Sequence, residues 1–129
     1  MIYLASPYSH PSLEIRQMRF RAACVAAGEL FKQGQLVISP IAHTHPIKML
    51  TGLGGEWEQW QEFDTQLIRC CDRLVVLQID GWITSVGVDT EIKIAEALRK
   101  PVDYLLPRKV GLNYAYPYVR TLGEQCNPI

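Results

Sequence analysis

Glu91 is an acidic residue on the apolar side of a predicted helix. The segment around it, ITSVGVDTEIKIAEALRKPV at residues 83–102, is typical of a loop, a helix and the start of a strand. Successive helical residues turn by about 100°, and the mean direction of the apolar positions nearly coincides with Glu91. Those positions are Ile92, Ile94, Ala95 and Leu98. An acidic residue near a helix start is usually solvated. This spacing instead predicts that Glu91 faces the core, at the helix end nearest the loop.

Asp64 is a second carboxylate of this kind, on a helix predicted over residues 57–71. The apolar stripe around it consists of Trp57, Trp60, Leu67, Ile68 and Cys71. A buried carboxylate needs hydrogen bonds, a proton or a chemical role, because burial without them is costly. Paired carboxylates at a cleft are typical of glycosidic chemistry, in which one is the nucleophile and the other the acid. The alternative is that each accepts hydrogen bonds from a neighbouring loop, but two at one sheet edge favour function.

Tyrosine, serine and glycine residues complete the candidate site. Tyr3 lies within the first predicted strand with its hydroxyl in reach of either carboxylate, although a core tyrosine is more often structural. Ser6 and Ser9, in ASPYS, and Ser85, in SVG, are expected to offer hydroxyl and backbone N–H groups to a sugar or phosphate. Helix capping is the more frequent use of such serines. Gly87 would let the backbone approach a ligand closely.

No metal or organic cofactor is expected. His43 and His45, in the sequence HTH, have no evident third ligand, so they are interpreted as loop histidines. The segment TGLGGE, at residues 51–56, lacks the glycine spacing of a dinucleotide-binding fingerprint and does not follow the first strand. The G-x-x-x-x-G-K-[ST] sequence of a P-loop does not occur.

Strand-like and helix-like segments alternate along the chain. The predicted strands are residues 1–5, 35–40, 72–80 and 101–107. The predicted helices are residues 12–32, 57–71 and 88–100. A long loop is predicted over residues 40–56, which hold two prolines and three glycines. The tail from 108 to 129 has no clear pattern.

This alternation predicts one α/β domain spanning residues 1–129. Apolar strands joined through helices are typical of a doubly wound, three-layer parallel sheet of the flavodoxin or Rossmann type, here with four to five strands. Ligands of such sheets bind outside the carboxyl ends of the strands. The loops expected to form the site are therefore residues 5–11, 40–56 and 80–88.

Composition indicates a globular protein with small-molecule partners or copies of itself. Hydrophobic residues make up 48% of the 129 residues, and 13 basic residues balance 13 acidic ones. Nothing suggests a nucleic-acid or membrane surface. Cys24, Cys70 and Cys71 are predicted to be small core residues, which favours a reducing cytoplasmic setting. The first residues lack the pattern of a signal peptide, and no apolar run is long enough to span a membrane.

Several segments together resemble the nucleoside 2-deoxyribosyltransferase superfamily. They are IYLASP in the first strand, the D-x7-D spacing from Asp64 to Asp72 before RLVVLQID, S-x-G-V-x-x-E-I-x-x-A from Ser85 to Ala95, and ALRKPV. They cover most of residues 1–103. The spacing of Ser85, Gly87 and Glu91 most resembles the 2′-deoxynucleoside 5′-phosphate N-hydrolases. The whole chain is also similar to a group of small uncharacterised bacterial and phage proteins.

The resemblance implies a role for each site residue. Glu91 would be the nucleophile that attacks the anomeric carbon, kept ionised by N–H groups at the helix start. Asp64 would handle the proton of the leaving base with a raised pKa. Tyr3 would orient Glu91, while Ser6 and Ser85 would line the 5′ end of the sugar. Members of the superfamily are commonly dimers or larger, so a homo-oligomer is expected, and Tyr114, Tyr116 and Tyr118 would suit its interface.

The first loop departs from the phosphate hydrolases, which typically place a basic residue where Tyr8 stands. ASPYSHPS holds no lysine or arginine, so hydroxyl and N–H groups would have to bind a 5′-phosphate. Three hypotheses follow: an enzyme acting on the N-glycosidic bond of a (deoxy)nucleoside or its 5′-monophosphate, a catalytically silent nucleotide-binding module on the same fold, and a structural or interaction protein whose cleft is incidental. An open cleft shared by Glu91 and Asp64 favours the first. A cleft filled by Trp82 or by residues 40–56 favours the others.

Overall fold

A parallel β-sheet forms the centre of the computed structural model, which describes residues 1–54, 57–110 and 113–115. Its four strands are β1 (Ile2–Ala5), β2 (Val37–Ile38), β3 (Arg73–Leu77) and β4 (Val102–Leu105), in the order β2-β1-β3-β4. Two further strands, β5 (Arg108–Val110) and β6 (Asn113–Ala115), form a separate antiparallel pair. Tyr116 and Tyr118, expected at an interface, lie outside the described residues.

Four helices occur within the described ranges: α1 (Leu13–Lys32), α2 (Pro40–Thr51), α3 (Trp57–Cys70) and α4 (Val86–Ala97). Together with the parallel sheet they confirm the predicted α/β fold of the flavodoxin or Rossmann type. None of these helices combines the length and the apolarity that crossing a membrane requires.

The alternating side chains of β1 and β3 build a core on each face of the sheet. On one face Leu4 and Leu77 pack with alanines of α1. On the other face Tyr3, Val76 and Ile68 pack with Val88 and Ala95 of α4. Because neighbouring residues of a strand point to opposite faces, Tyr3 lies on the face that α3 and α4 cover. This arrangement brings the Tyr3 hydroxyl to the helices that carry Asp64 and Glu91.

Helix α2 corrects the prediction of a loop over residues 40–56. Pro40 occupies the first helical turn, where a missing N–H costs nothing, and Ser39 caps the helix by accepting a hydrogen bond from the N–H of Ala42 at 3.3 Å. Pro46 is tolerated inside the helix. Gly52 ends it in the left-handed conformation, with φ of 67°. Pro40 and Gly52 thus delimit this helix, and Pro46 lies inside it.

Two of the three cysteines that the structure describes are less buried than the predicted core position requires. Cys71 is buried, but Cys24 is only partly buried and Cys70 is exposed, so the prediction is wrong for Cys70. Cys70 is the last residue of α3, where the side chain leaves the apolar stripe and faces solvent.

Candidate active site

A cleft of about 550 Å³ opens at the carboxyl ends of β1 and β3. Its walls come from the segment after β1, helices α2 and α3, the segment after β3 and the start of α4. This volume is in the range that small-molecule sites occupy. All three predicted segments contribute, although residues 40–48 do so as a helix.

Glu91 and Asp64 meet at this cleft, with Tyr3 linking them. The hydroxyl of Tyr3, which is fully buried on β1, donates a hydrogen bond to Oε2 of Glu91. Glu91 is 9% exposed, and Asp64 is close enough to Tyr3 to share its hydroxyl as a hydrogen-bonding partner. Both carboxyl groups line the cleft. The structure therefore brings together the three residues that the sequence singled out for catalysis.

Burial keeps protons on this cluster. It raises the pKa of Glu91 to about 8, helped by the negative charge of Asp64 and opposed by the hydrogen bond from Tyr3. It raises the pKa of Asp64 to about 6, where Tyr3 and the positive charge of Lys48 oppose the shift. The pKa of Tyr3 is raised well above its usual value by burial and by both carboxylates, so its hydroxyl stays protonated. Near neutral pH the two carboxyl groups therefore hold about one proton between them.

The predicted ionisation of Glu91 by a helix start is wrong. Glu91 is the sixth residue of α4, counted from Val86, so it lies in the second helical turn. The electrostatic benefit of a helix N-terminus falls off within the first turn. Desolvation therefore dominates and favours a neutral Glu91.

Ser6 has a buried hydroxyl that faces the cleft without a partner. The residue follows β1 and is 6% exposed, and its Oγ makes no hydrogen bond to any residue that the structure describes. A buried polar atom in this state is uncommon and calls for an explanation. A ligand hydroxyl or phosphate oxygen in the cleft would satisfy it.

Ser85 and Gly87 shape the start of α4. The Oγ of Ser85 accepts a hydrogen bond from the N–H of Val88 at 3.2 Å, so this serine caps the helix and also lines the cleft. A Cβ at Gly87 would come no closer than 3.8 Å to its nearest neighbour, Oγ of Ser85. Packing therefore does not require glycine at position 87. Its missing side chain leaves room in the cleft instead. Ser9 is exposed at the rim.

Tyr8 belongs to an aromatic wall that includes residues the sequence did not single out. Its hydroxyl is hydrogen-bonded to Nδ1 of His45 at 2.7 Å, and His45 stacks on Phe20 with ring centroids 4.5 Å apart. Nζ of Lys48 lies 5.2 Å from the ring centroid of Tyr8 and 4.5 Å from that of Trp60. Burial lowers the pKa of Lys48, whereas Asp64 raises it. Lys48 was missed because its helix was predicted to be a loop.

His43 and His45 both pack against aromatic side chains. His45 is buried and positions Tyr8, as described above. His43 packs beside Phe63 with ring centroids 5.7 Å apart. Within the described part of the chain, no group of three or more potential metal-ligating side chains is assembled.

Arg19 of α1 ties the two loops of the cleft together. Its guanidinium donates hydrogen bonds to the carbonyl of Ser9 at 2.9 Å and to the carbonyl of Asp80 at 3.4 Å. Gly81 has φ of 97°, and a Cβ there would collide with Nη2 of Arg19. Arg19 and Lys48 thus supply the positive charge that the first loop itself lacks.

Neither Trp82 nor residues 40–51 block the cleft. Trp82 contacts Tyr104 with ring centroids 5.8 Å apart and lines a separate shallow pocket of residues 78–84. Helix α2 forms one wall of the main cleft and leaves it open. The main cleft is therefore open to a ligand.

The fold and the site define a parallel α/β domain with a carboxyl–tyrosine–carboxyl cluster at its strand ends. The chain belongs to the family described as "Domain of unknown function (DUF1937)", whose model matches residues 1–105. The match includes the whole sheet and all the cleft residues discussed above. No curated protein matches the chain.

Proposed function

We propose that this protein cleaves or transfers the N-glycosidic bond of a (deoxy)nucleoside or a nucleoside 5′-monophosphate. The observation that carries the proposal is the cluster of Glu91, Tyr3 and Asp64, buried at the strand ends and open to a cleft of about 550 Å³. Two carboxyl groups with raised pKa values suit a reaction that needs one as an anion and the other as an acid.

In the proposed reaction Glu91 is the nucleophile, and Asp64 is first the general acid and then the general base. An ionised oxygen of Glu91 forms a bond to C1′ of the sugar while the C1′–N bond breaks. The electron pair of the C1′–N bond leaves with the base. Asp64 gives its proton to the departing base nitrogen. The glycosyl ester on Glu91 is then released by water, or in a transfer by a ring nitrogen of a second base, and either nucleophile gives its proton to Asp64.

Tyr3 offers a route by which the proton reaches the right carboxyl group. Burial favours the proton on Glu91, whereas the reaction needs it on Asp64. The Tyr3 hydroxyl interacts with both groups, so it can accept a proton from one while donating its own to the other. The same contacts orient Glu91 for attack.

The sugar is proposed to lie against the loops after β1 and β3. The unpartnered hydroxyl of Ser6 and the hydroxyl of Ser85 would contact its 5′ end, and Gly87 leaves room for it. Arg19, held at the same loops, would favour a 5′-phosphate electrostatically. Tyr8 forms part of the opposite, aromatic wall.

The test is release of free base from 2′-deoxynucleosides, ribonucleosides and their 5′-monophosphates. Glu91→Gln is expected to abolish the release of free base from every substrate on which the wild type acts, because an amide cannot form the glycosyl ester. Glu96→Gln is the matched control: it makes the same change on an exposed residue of the same helix and should leave the rate unchanged. Equal rates of base release for the wild type and Glu91→Gln would show that Glu91 is not the nucleophile. Base released by the wild type alone would support the proposal.

A catalytically silent nucleotide-binding module is the second candidate. It is favoured by the burial of Glu91, which is 9% exposed: burial raises its pKa to about 8, and the neutral carboxyl group that prevails at pH 7 is no nucleophile. Such a module would bind a nucleotide and raise the melting temperature without releasing base at any pH from 6 to about 9. A rate that passes through a maximum between about pH 6 and pH 8, where the two carboxyl groups share one proton, would instead support the enzyme.

A further inference from the structure

The end of the cleft between α2 and α3 presents hydrogen-bond donors. Nζ of Lys48 lies over the ring of Trp60, 4.5 Å from its centroid, and both residues line the cleft. The indole Nε1–H of Trp60 is buried and has no hydrogen-bond partner in the part of the chain that the structure describes. An ammonium group and an indole N–H can donate hydrogen bonds but cannot accept them.

Neither donor is paired with a nearby acceptor of the protein. Among the described residues, no carboxylate lies within ion-pair distance of Lys48. Asp64 acts on Lys48 through its charge alone, while burial removes water from the ammonium group. The Nε1–H of Trp60 is a buried donor without an acceptor, which is costly, whereas Lys48 is partly exposed and its Nζ lies over the rings of Tyr8 and Trp60. A ligand that brings acceptor atoms to this end of the cleft would remove that cost.

We propose that Lys48 and Trp60 select a nucleobase with a carbonyl oxygen on the edge that faces α2 and α3. This inference rests on the proposed function, because it assumes that the ligand is a nucleoside or nucleotide. A carbonyl oxygen accepts hydrogen bonds from both donors. An exocyclic amino group in the same place is itself a hydrogen-bond donor, so the Lys48 ammonium group and the Trp60 N–H would both stay without an acceptor. Uracil, thymine, hypoxanthine and guanine are therefore favoured over cytosine and adenine.

The rings beside Lys48 support a flat ligand at this position. Tyr8 and Trp60 both place their rings within 5.2 Å of Nζ, and Tyr8 is held in place by His45. Aromatic walls with a few directed polar groups are typical of sites that bind planar ligands. The carboxyl cluster adjoins this wall through Asp64, which is the group proposed to protonate the base.

Two matched substrate pairs test the inference: 2′-deoxyuridine with 2′-deoxycytidine, and 2′-deoxyinosine with 2′-deoxyadenosine. Each pair differs by one oxo or amino group, and each is used free and as the 5′-monophosphate. For the wild type, kcat/KM for the oxo member should exceed that of the amino member by about tenfold or more. Lys48→Met and Trp60→Phe should bring this ratio close to one. Trp60→Phe keeps an aromatic ring and removes only the N–H-bearing part.

Lys32→Met and Trp82→Phe are the matched controls. Lys32 is exposed and paired with Glu29, and Trp82 lies outside the main cleft. Both variants should keep the wild-type ratio. Binding constants for the same pairs, measured by calorimetry, separate base selection from a general effect of Lys48 on Asp64, because binding involves no protonation of a leaving base. A wild-type ratio near one, or an equal loss for both members in Lys48→Met, overturns the inference.

Binding measured by calorimetry separates this inference from the proposed function. If no substrate releases base, the proposed reaction fails, and the same pairs are titrated into the wild type. Oxo members that bind about tenfold more tightly than their amino partners would then still support the selection by Lys48 and Trp60. Equal binding of both members, or no binding of either, overturns it.

Discussion

Replacing Glu91 by glutamine is expected to stabilise the folded protein while it removes the proposed nucleophile. Glutamine has nearly the same size, can still accept the hydrogen bond from Tyr3, and does not ionise. The pKa of Glu91 is about 8 in the folded protein, against an ordinary value of 4.5. Between these two pH values the folded state holds a proton that the unfolded chain has released.

The free energy of unfolding of the wild type therefore falls as the pH rises through this window. Below pH 4.5 Glu91 is protonated in both the folded and the unfolded state and does not lower the free energy of unfolding. Above about pH 8 it is ionised in both states, and the free energy of unfolding has fallen by the full amount. The slope is about 1.4 kcal/mol per pH unit, so the full window amounts to about 5 kcal/mol. Asp64 titrates in both proteins, and its contribution cancels when they are compared.

Urea unfolding at pH 5, 7 and 8.5 measures this difference. Glu91→Gln should gain little over the wild type at pH 5 and several kcal/mol, up to about 5, at pH 8.5. Glu96→Gln serves as the control, because Glu96 is exposed and its replacement should follow the wild type at every pH. A stability difference between wild type and Glu91→Gln that does not change from pH 5 to 8.5 would refute the buried, protonated Glu91.

Three further substitutions test the contacts around the cleft. Tyr3→Phe removes a hydrogen bond that lowers the pKa of Glu91. The pH–rate profile for base release should therefore shift to higher pH, and the rate at pH 7 should fall about tenfold or more. An unshifted profile would argue against this contact. Ser6→Ala deletes an unpartnered buried hydroxyl, so calorimetry should show weaker nucleotide binding, while urea unfolding shows stability unchanged or higher by about 1 kcal/mol; a stability loss would mean that the hydroxyl has a partner. Gly81→Ala forces a Cβ against Arg19 at a positive φ and should cost about 1–3 kcal/mol in urea unfolding, unlike Gly87→Ala, which meets no close protein atom.

Local sequence patterns predicted the sheet and three of the four described helices because those segments carry strong periodic signals. The apolar run of β3 and the capped, periodic α4 are both typical of their final structure. Helix α2 is not predicted by these patterns, because the prolines and glycines of residues 40–56 are typical of a loop. Pro40 stands where a helix tolerates proline, and the left-handed Gly52 comes after its last turn. Position within the element, rather than composition, decides the effect of such residues.

The carboxyl pair could be found from the sequence because each member interrupts an apolar helical stripe. Glu91 does so on α4 and Asp64 on α3, and both helices pack on the face of the sheet that carries Tyr3. Lys48 and Arg19 left no comparable signal. A basic residue on a surface helix is ordinary, and its approach to the cleft depends on how α1 and α2 pack around the sheet.

The amino-acid sequence by itself determined the parallel α/β fold and the residues most able to do chemistry. Both follow from local spacing: strand and helix periods fix the elements, and an acidic residue in an apolar stripe marks a buried carboxyl group. Only the tertiary structure decided which groups surround that carboxyl group and where its proton lies. The pKa of Glu91 depends on burial, Asp64 and Tyr3, and these contributions come from α3 and β1, distant in the chain and close only after folding. Desolvation in that assembled site outweighs the local benefit of the helix start from which the ionised Glu91 was predicted.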